Sequence, residues 1–347
     1  MKPTRQLLAL LCALALIAAA CGGSDDEATD TGAAEETPTT VAADSSDDEA
    51  TDDEAMDDEA MSDEEMEAMD DDDHMGDFPV TIESDGGTWT LEAAPERIVS
   101  LSPTATEILF AIGAGDQIVA VDAFSYFPEE APVTELSGFD PNVEAVIAFD
   151  PDFVVISNDA NDLVASLTDL DIPVLVSSAP ADIEGGYATM ADLGVATGHA
   201  DQTAEVIAGL RDEIAAAFAV APETDVRVYH ELSDSLFSAS SFGFVGSVYA
   251  EMGAFNIADE ADVDQGGFPQ LTEEYVIAAD PELIVITDQV GYTAEDLAAR
   301  PGWSEISAVK NGNIVVVNAD IASRWGPRLP QFIQAVANAV AVQSVGS

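Results

Sequence analysis

Positively charged residues are scarce in this chain. Lys and Arg together number nine, against 68 Asp and Glu, and the formal net charge is −59. After Asp77 there remain 43 acidic and seven basic residues, or about −36 for that part of the chain. Binding of nucleic acid or of anionic lipid needs clustered Lys and Arg to meet the phosphates. The composition therefore argues against both as partners.

Cysteine and histidine are almost as rare, with two Cys and three His in 347 residues. Cys12 lies in the apolar run near the N-terminus, so its removal with that run would leave Cys21 alone and no intramolecular disulfide. His199 and His230 lie far apart, and the sequence contains no GxSxG elbow, P-loop or paired-cysteine zinc motif. We therefore expect no enzyme, no resident metal and no cofactor.

The one long apolar run near the N-terminus, Leu7 to Ala20, is shorter than the roughly 20 residues of a membrane-spanning helix. Basic residues precede it and Cys21 follows it, which predicts an export signal over residues 1–21. The site resembles the lipobox of bacterial lipoproteins. That resemblance implies a lipid on Cys21 and anchoring at the outer face of the cytoplasmic membrane. Ala18 stands where a lipobox usually has Leu, and secretion with a free Cys21 is the alternative.

The segment that follows the signal is strongly acidic. From Ser24 to Asp77 it contains 25 acidic residues and no Lys or Arg. Such a segment cannot bury enough apolar surface to offset its ordering entropy. We predict a disordered tether over residues 22–77, which as a flexible coil would span roughly 40 Å.

The stretch RIVSLSPTATEILFAIGAG, residues 97–115, predicts a buried strand that runs directly into a helix. Ser102 can cap this helix with Pro103 at its first position, or Thr104 and Glu107 can form a capping box one register later. The residues do not decide between these two caps. The end of a strand that leads into a helix is where open α/β sheets bind ligands.

Strand and helix patterns alternate through the rest of the chain, which predicts an α/β fold with parallel sheets. A single long helical pattern, stopped by Pro222, divides the alternation. We predict an N-terminal α/β lobe over residues 78–200, an interlobe helix over 201–222 and a C-terminal α/β lobe over 223–347. The segments PNVEAVIAFDPDFVVIS and QLTEEYVIAADPELIVIT form a matching pair, one in each lobe.

The order of these segments resembles the substrate-binding proteins of ABC importers for iron-siderophores and cobalamin. The motifs that carry the resemblance are the opening hairpin, RIVSLSPTATE, the matching pair, the lone interlobe helix, FPQLTEE and SRWGPRL. The resemblance implies two doubly wound lobes joined by one long helix, with a bulky chelate bound between them. It also implies a monomer that delivers this ligand to an ABC permease and its ATPase and reaches the membrane only through its lipid. The ligand itself would carry iron or cobalt. The alternative is a surface sensor or adhesion module that reuses the two lobes.

The resemblance and the local chemistry together give a set of candidate residues. SRWGPR combines two of the few basic residues with a Trp; Arg suits carboxylate or catecholate oxygens, and Trp offers a flat face. The alternative is that both arginines pair with local acids and that Trp325 packs within its lobe. Glu107 is expected to cap its helix, while the resemblance implies that Glu144 and Glu274 dock into the permease. The predicted ligand-binding residues are Ser102, Pro103, Tyr126, Phe127, Asn158, Phe242, Arg324, Trp325 and Arg328.

Overall fold

The structure is a computed structural model that describes residues 78–221 and 225–344 of the chain. The predicted signal peptide and acidic tether lie outside these residues, and so does Pro222. The described part opens with a hairpin of β1 (Val80–Ser84) and β2 (Gly87–Leu91), in which Val80 lies opposite Leu91. The predicted hairpin is therefore confirmed.

The first sheet has five parallel strands in the order β5-β4-β3-β6-β7. Its central strand is buried at all four positions, as expected for a strand covered on both faces. The strands are β3 (Ile98–Leu101), β4 (Ile118–Asp122), β5 (Val133–Leu136), β6 (Phe153–Ile156) and β7 (Val174–Val176). The helices are α1 (Pro103–Ala111), α2 (Val143–Ile147), α3 (Leu163–Thr168) and α4 (Ile183–Thr197).

The hairpin covers the open edge of this first sheet. The amide of Val176 donates a hydrogen bond to Ser84 Oγ over 3.2 Å, and Ser178 Oγ lies 3.3 Å from an Asp85 carboxylate oxygen. An uncovered edge strand is a template for pairing with another chain. The hairpin therefore protects β7 from such pairing.

The second sheet has four parallel strands in the order β11-β10-β8-β9. Its strands are β8 (Arg227–His230), β9 (Phe255–Asn256), β10 (Leu283–Thr287) and β11 (Ile314–Val317). Its helices are α6 (Phe244–Glu251), α7 (Glu273–Ala279), α8 (Ala294–Ala298), α9 (Ser307–Asn311), α10 (Ala319–Ser323) and α11 (Leu329–Ser344). The fold is thus α/β with two doubly wound parallel sheets, as the alternating pattern predicted.

The long helix between the sheets is α5 (Ala200–Phe218), close to the predicted bounds. Its buried Leu210 belongs to one continuous core that also contains Ile108, Leu193, Val248 and Phe332. These residues come from both lobes, so the lobes share a core in addition to the connecting helix. In addition, each sheet contributes to one smaller core of its own.

Candidate functional site

Both sheets reverse their strand order at one position. The order changes direction between β3 and β6 in the first sheet and between β8 and β10 in the second. In open α/β sheets the crevice outside the carboxyl ends of the strands at such a position binds ligands. Ser102 follows β3, and the loop that carries Tyr126 and Phe127 follows β4.

The first helix begins at Ser102. The Ser102 hydroxyl accepts a hydrogen bond from the amide of Ala105 over 3.3 Å, and Pro103 occupies the first turn. Of the two possible caps, the structure therefore has Ser102. The expectation that Glu107 caps this helix is wrong.

Glu107 instead binds the two arginines of the opposite lobe. Its Oε1 accepts from Arg324 Nη1 over 2.5 Å and from Arg328 Nη2 over 2.6 Å, and its Oε2 accepts from Arg328 Nε over 2.8 Å. Glu107 is only 2% exposed and Arg324 only 7%. Hydrogen bonding to Glu107 raises the pKa of Arg328. We call Glu107, Arg324, Arg328 and Asp320 the arginine cluster.

Asp320 supplies the second carboxylate of the arginine cluster. It lies 2.9 Å from Arg324 Nη2 and accepts a hydrogen bond from the Tyr126 hydroxyl across the two lobes. This hydrogen bond raises the pKa of Tyr126. Two carboxylates thus meet two guanidinium groups, and the cluster carries no net charge.

Half-exposed aromatic rings cover the arginine cluster. The guanidinium carbon of Arg328 lies 4.2 Å from the centre of the Phe127 ring, and that of Arg324 lies 5.7 Å from the centre of the Tyr126 ring. Tyr126 is 50% exposed and Phe127 is 41% exposed. One side of each ring is therefore held by a cation–π contact, while much of the side chain is open to a ligand.

Three other predicted residues are not members of the arginine cluster. Trp325 is only 8% exposed and packs edge-on against Phe244, with ring centres 6.0 Å apart. The expectation of an open Trp325 face is therefore wrong for this structure, and the packing alternative describes it. Asn158 and Phe242 are exposed, and within the described residues no hydrogen bond, ion pair or ring contact joins either of them to the cluster. Their contact with a ligand stays a prediction.

The structure adds aromatic residues that the sequence did not single out. Phe124 and Phe139 are more than half exposed and stack edge to face with ring centres 5.7 Å apart, next to the loop of Tyr126. Phe268, in the second lobe, is also more than half exposed. The sequence does show that several aromatic residues follow predicted strands, which could have marked them as candidates. It does not show that their side chains are exposed.

Buried carboxylates shape the loops that present these rings. Asp122 accepts a hydrogen bond from the amide of Phe124 over 2.8 Å, and its burial raises the pKa of its carboxyl group. In the second lobe Asp262 accepts from the amides of Gly266 and Gly267 over 3.0 and 2.8 Å. Gly267 has a φ of +84°, a conformation that favours glycine. Polar contacts therefore fix both loops.

The two predicted docking residues occupy equivalent positions. Glu144 is in the first turn of α2, which Asn142 caps, and Glu274 is in the first turn of α7, which Thr272 caps. In each case the capping side chain accepts from the amide three residues later. Both glutamates are exposed. The equivalence agrees with the matching pair in the sequence, and permease docking itself stays a prediction.

Two features are absent from the residues that the structure describes. No helix among them is long and apolar enough to cross a bilayer. Nor do three or more of their His, Cys, Asp and Glu side chains come together in a way that could hold a metal ion.

Comparison with known proteins identifies the family of this chain. Residues 98–321 match the periplasmic binding protein family, and the chain belongs to that family. A relative in Halobacterium salinarum named cobalamin-binding protein is 34% identical over 283 residues, which cover 78% of this chain and 76% of the relative. An uncharacterized ABC transporter substrate-binding lipoprotein of Bacillus subtilis, YvrC, is 30% identical over 76% of this chain and 86% of its own length.

Solved structures share the fold. The vitamin B12-binding protein BtuF of Vibrio cholerae superposes with a TM-score of 0.61 at 22% identity, covering 72% of this chain and 98% of that one. The heme-binding protein RhuT of Roseiflexus sp. superposes with a TM-score of 0.64 at 24% identity, covering 71% and 98%. At these identities the likeness concerns the fold alone.

Proposed function

We propose that this protein is an extracytoplasmic solute-binding lipoprotein that captures a bulky metal chelate between its lobes and delivers it to an ABC permease. It carries no enzymatic activity and reaches the membrane only through a lipid on Cys21. The names of its relatives favour import over a sensor or adhesion role, and among chelates they favour a corrinoid over an iron-siderophore.

The observation that carries this proposal is the group of exposed rings at the carboxyl ends of β4 and β5. Phe124, Tyr126, Phe127 and Phe139 are each at least 41% exposed, in loops held by hydrogen bonds. Large aromatic side chains are normally buried, so a cluster of exposed ones marks a binding surface. Flat rings suit a macrocycle because they bury much of its surface with few rotatable bonds.

Titration of the purified chain with cyanocobalamin, followed by calorimetry, tests this function. We expect a dissociation constant in the micromolar range or tighter, and a loss of at least about tenfold on Tyr126→Ser with Phe127→Ser. Phe255→Ser is the matched control. Phe255 is similarly exposed, at 48%, but it lies at the amino end of β9 and not at the carboxyl ends of the strands. If cyanocobalamin, haem and ferric siderophores all fail to bind, the proposed function is wrong.

Delivery to a permease is tested separately. Reversing the charge of both docking residues, with Glu144→Arg and Glu274→Arg, should abolish ligand uptake by cells and leave the dissociation constant of the purified chain unchanged. Charge pairs at a protein interface influence the rate of association and the choice of partner. Both glutamates lie at exposed helix ends, where a partner protein can reach them. Asp169→Arg, just after α3, with Glu295→Arg, in α8, places equal charge on other exposed positions and should retain uptake. Normal uptake by the Glu144 and Glu274 variant would remove them from the docking role.

A further inference from the structure

Every Lys and Arg in the described residues already has an acidic partner. Five of the seven are held away from the arginine cluster, by Asp150, Glu184, Glu231, Glu305 and the pair Asp280 and Glu282. The other two are Arg324 and Arg328, which Glu107 binds. In the described part of the chain, therefore, an anionic ligand would find no unpaired Lys or Arg.

An anionic ligand would not readily displace Glu107 from Arg324 and Arg328. Its side chain is 1% exposed, and the side chains of Arg324 and Arg328 are 8% and 16% exposed. Two-point binding between guanidinium and carboxylate is among the stronger polar contacts in proteins. Displacing it would leave a carboxylate buried without a partner, which is strongly unfavourable.

The surroundings add to this effect. Asp320 occupies the other side of Arg324, and the aromatic rings of Tyr126 and Phe127 lie over the guanidinium groups. A ligand that rests on these rings lies next to a neutral cluster in a chain of high negative charge. A ligand without net negative charge meets no repulsion there, while a polyanion does.

We propose that Glu107 is a specificity-determining residue that, together with Asp320, neutralises Arg324 and Arg328 and so restricts the cleft to chelates without net negative charge. This inference rests on the proposed function and refines its ligand class. It reverses the expectation that the two arginines favour an anionic chelate. The cleft would accept an uncharged corrinoid and reject haem, which carries two carboxylates, and ferric tris-catecholates, which carry several negative charges.

The test compares ligand selectivity in the wild-type chain and in Glu107→Gln. Cyanocobalamin, haem and a ferric tris-catecholate are titrated into each, and the affinity ratio of each anionic ligand to cyanocobalamin is recorded. We expect the wild type to prefer cyanocobalamin at least a hundredfold, and Glu107→Gln to shift the ratio at least tenfold toward the anions. Adding Arg328→Gln to Glu107→Gln restores the charge balance and should reverse most of that shift.

Glu184→Gln is the matched control, because it frees Arg211 from a two-point pair at the surface and should leave the ratio unchanged. A wild type that binds haem or the tris-catecholate as tightly as cyanocobalamin would overturn the inference and leave the proposed function standing. That comparison does not depend on whether any variant folds. An unchanged ratio in folded Glu107→Gln would also overturn it, and a wild type that binds none of the ligands would overturn both proposals.

Discussion

His230 is a buried, neutral imidazole at the end of β8. Its Nδ1 lies 2.8 Å from the hydroxyl of Tyr249, whose own pKa burial raises well above its usual value. Nε2 has no hydrogen-bond partner within the described residues. Burial lowers the pKa of His230 to about 4, because a charged imidazole cannot be solvated there.

This shift makes the stability of the fold depend on pH. In the unfolded chain the histidine has its ordinary pKa of about 6.5. Below that pH the unfolded state binds a proton at His230, whereas the folded state stays unprotonated there until the pH nears 4. The free energy of unfolding is therefore unaffected by protonation of His230 above pH 6.5 and falls as the pH is lowered from 6.5 toward 4. Between pH 7 and pH 5 we expect the free energy of unfolding to fall by about 2 kcal/mol relative to His230→Asn, measured by urea unfolding. Parallel pH curves for the two chains would show that His230 does not titrate in this way.

Glu107 shows the limit of sequence reasoning at the level of single residues. The strand, the helix and the cap at Ser102 follow from local spacing, because caps and strand ends depend on neighbours a few residues away. The partner of Glu107, in contrast, lies 217 residues along the chain. With 43 acidic residues after Asp77, no local pattern tells which one meets the arginines.

The helices and strands were predictable where their patterns were strong. The central strands and α5 follow the expected periodicity, whereas β5 has two adjacent polar residues between two apolar ones at a sheet edge and β9 has only two residues. Both are too weakly patterned to be separated from loops. The same applies to α10, whose five residues precede Arg324.

The element that connects the lobes limits their movement. Helix α5 and the shared core of Ile108, Leu193, Leu210, Val248 and Phe332 both join them. A rotation between the lobes would have to break packing at native density, which is unfavourable. We therefore expect only a small closure when ligand binds.

Spin labels at Ala145→Cys and Ala278→Cys, on exposed positions of α2 and α7, measure this closure. In a chain with Cys12 and Cys21 replaced by Ser, the mean label distance should change by less than about 3 Å on addition of ligand. A label pair within the first lobe, at Ala145 and Asp169, serves as the reference for ligand effects on the labels themselves. A change that corresponds to a rotation of tens of degrees would contradict a stiff connection.

Across the whole molecule, acidic residues greatly outnumber their possible partners. The seven described basic residues are all paired with a small number of carboxylates, so most of the acidic residues that the structure describes have no basic partner. Such like charges repel one another and destabilise the compact state, and salt screens them.

The melting temperature should therefore rise with salt, by about 5 °C or more between about 0.1 and 2 M KCl. Differential scanning calorimetry gives this value directly. Sucrose at matched osmolality separates screening from the general effect of an excluded solute. A melting temperature that is constant or falls in KCl would show that charge repulsion does not limit stability.

The hairpin at the entrance to the fold has a mechanical consequence. A pull on the chain before Phe78 reaches β1 at Val80, whose partner Leu91 leads on into the first sheet. Because both ends of the hairpin lie on the same side, such a force loads its cross-strand pairs one after another, from Val80 and Leu91 toward Ser84 and Gly87. The hairpin would unzip at low force before the load reached β3 and the residues around Ser102. Opening of the hairpin would thus take up tension along the chain and leave the residues around Ser102 in place.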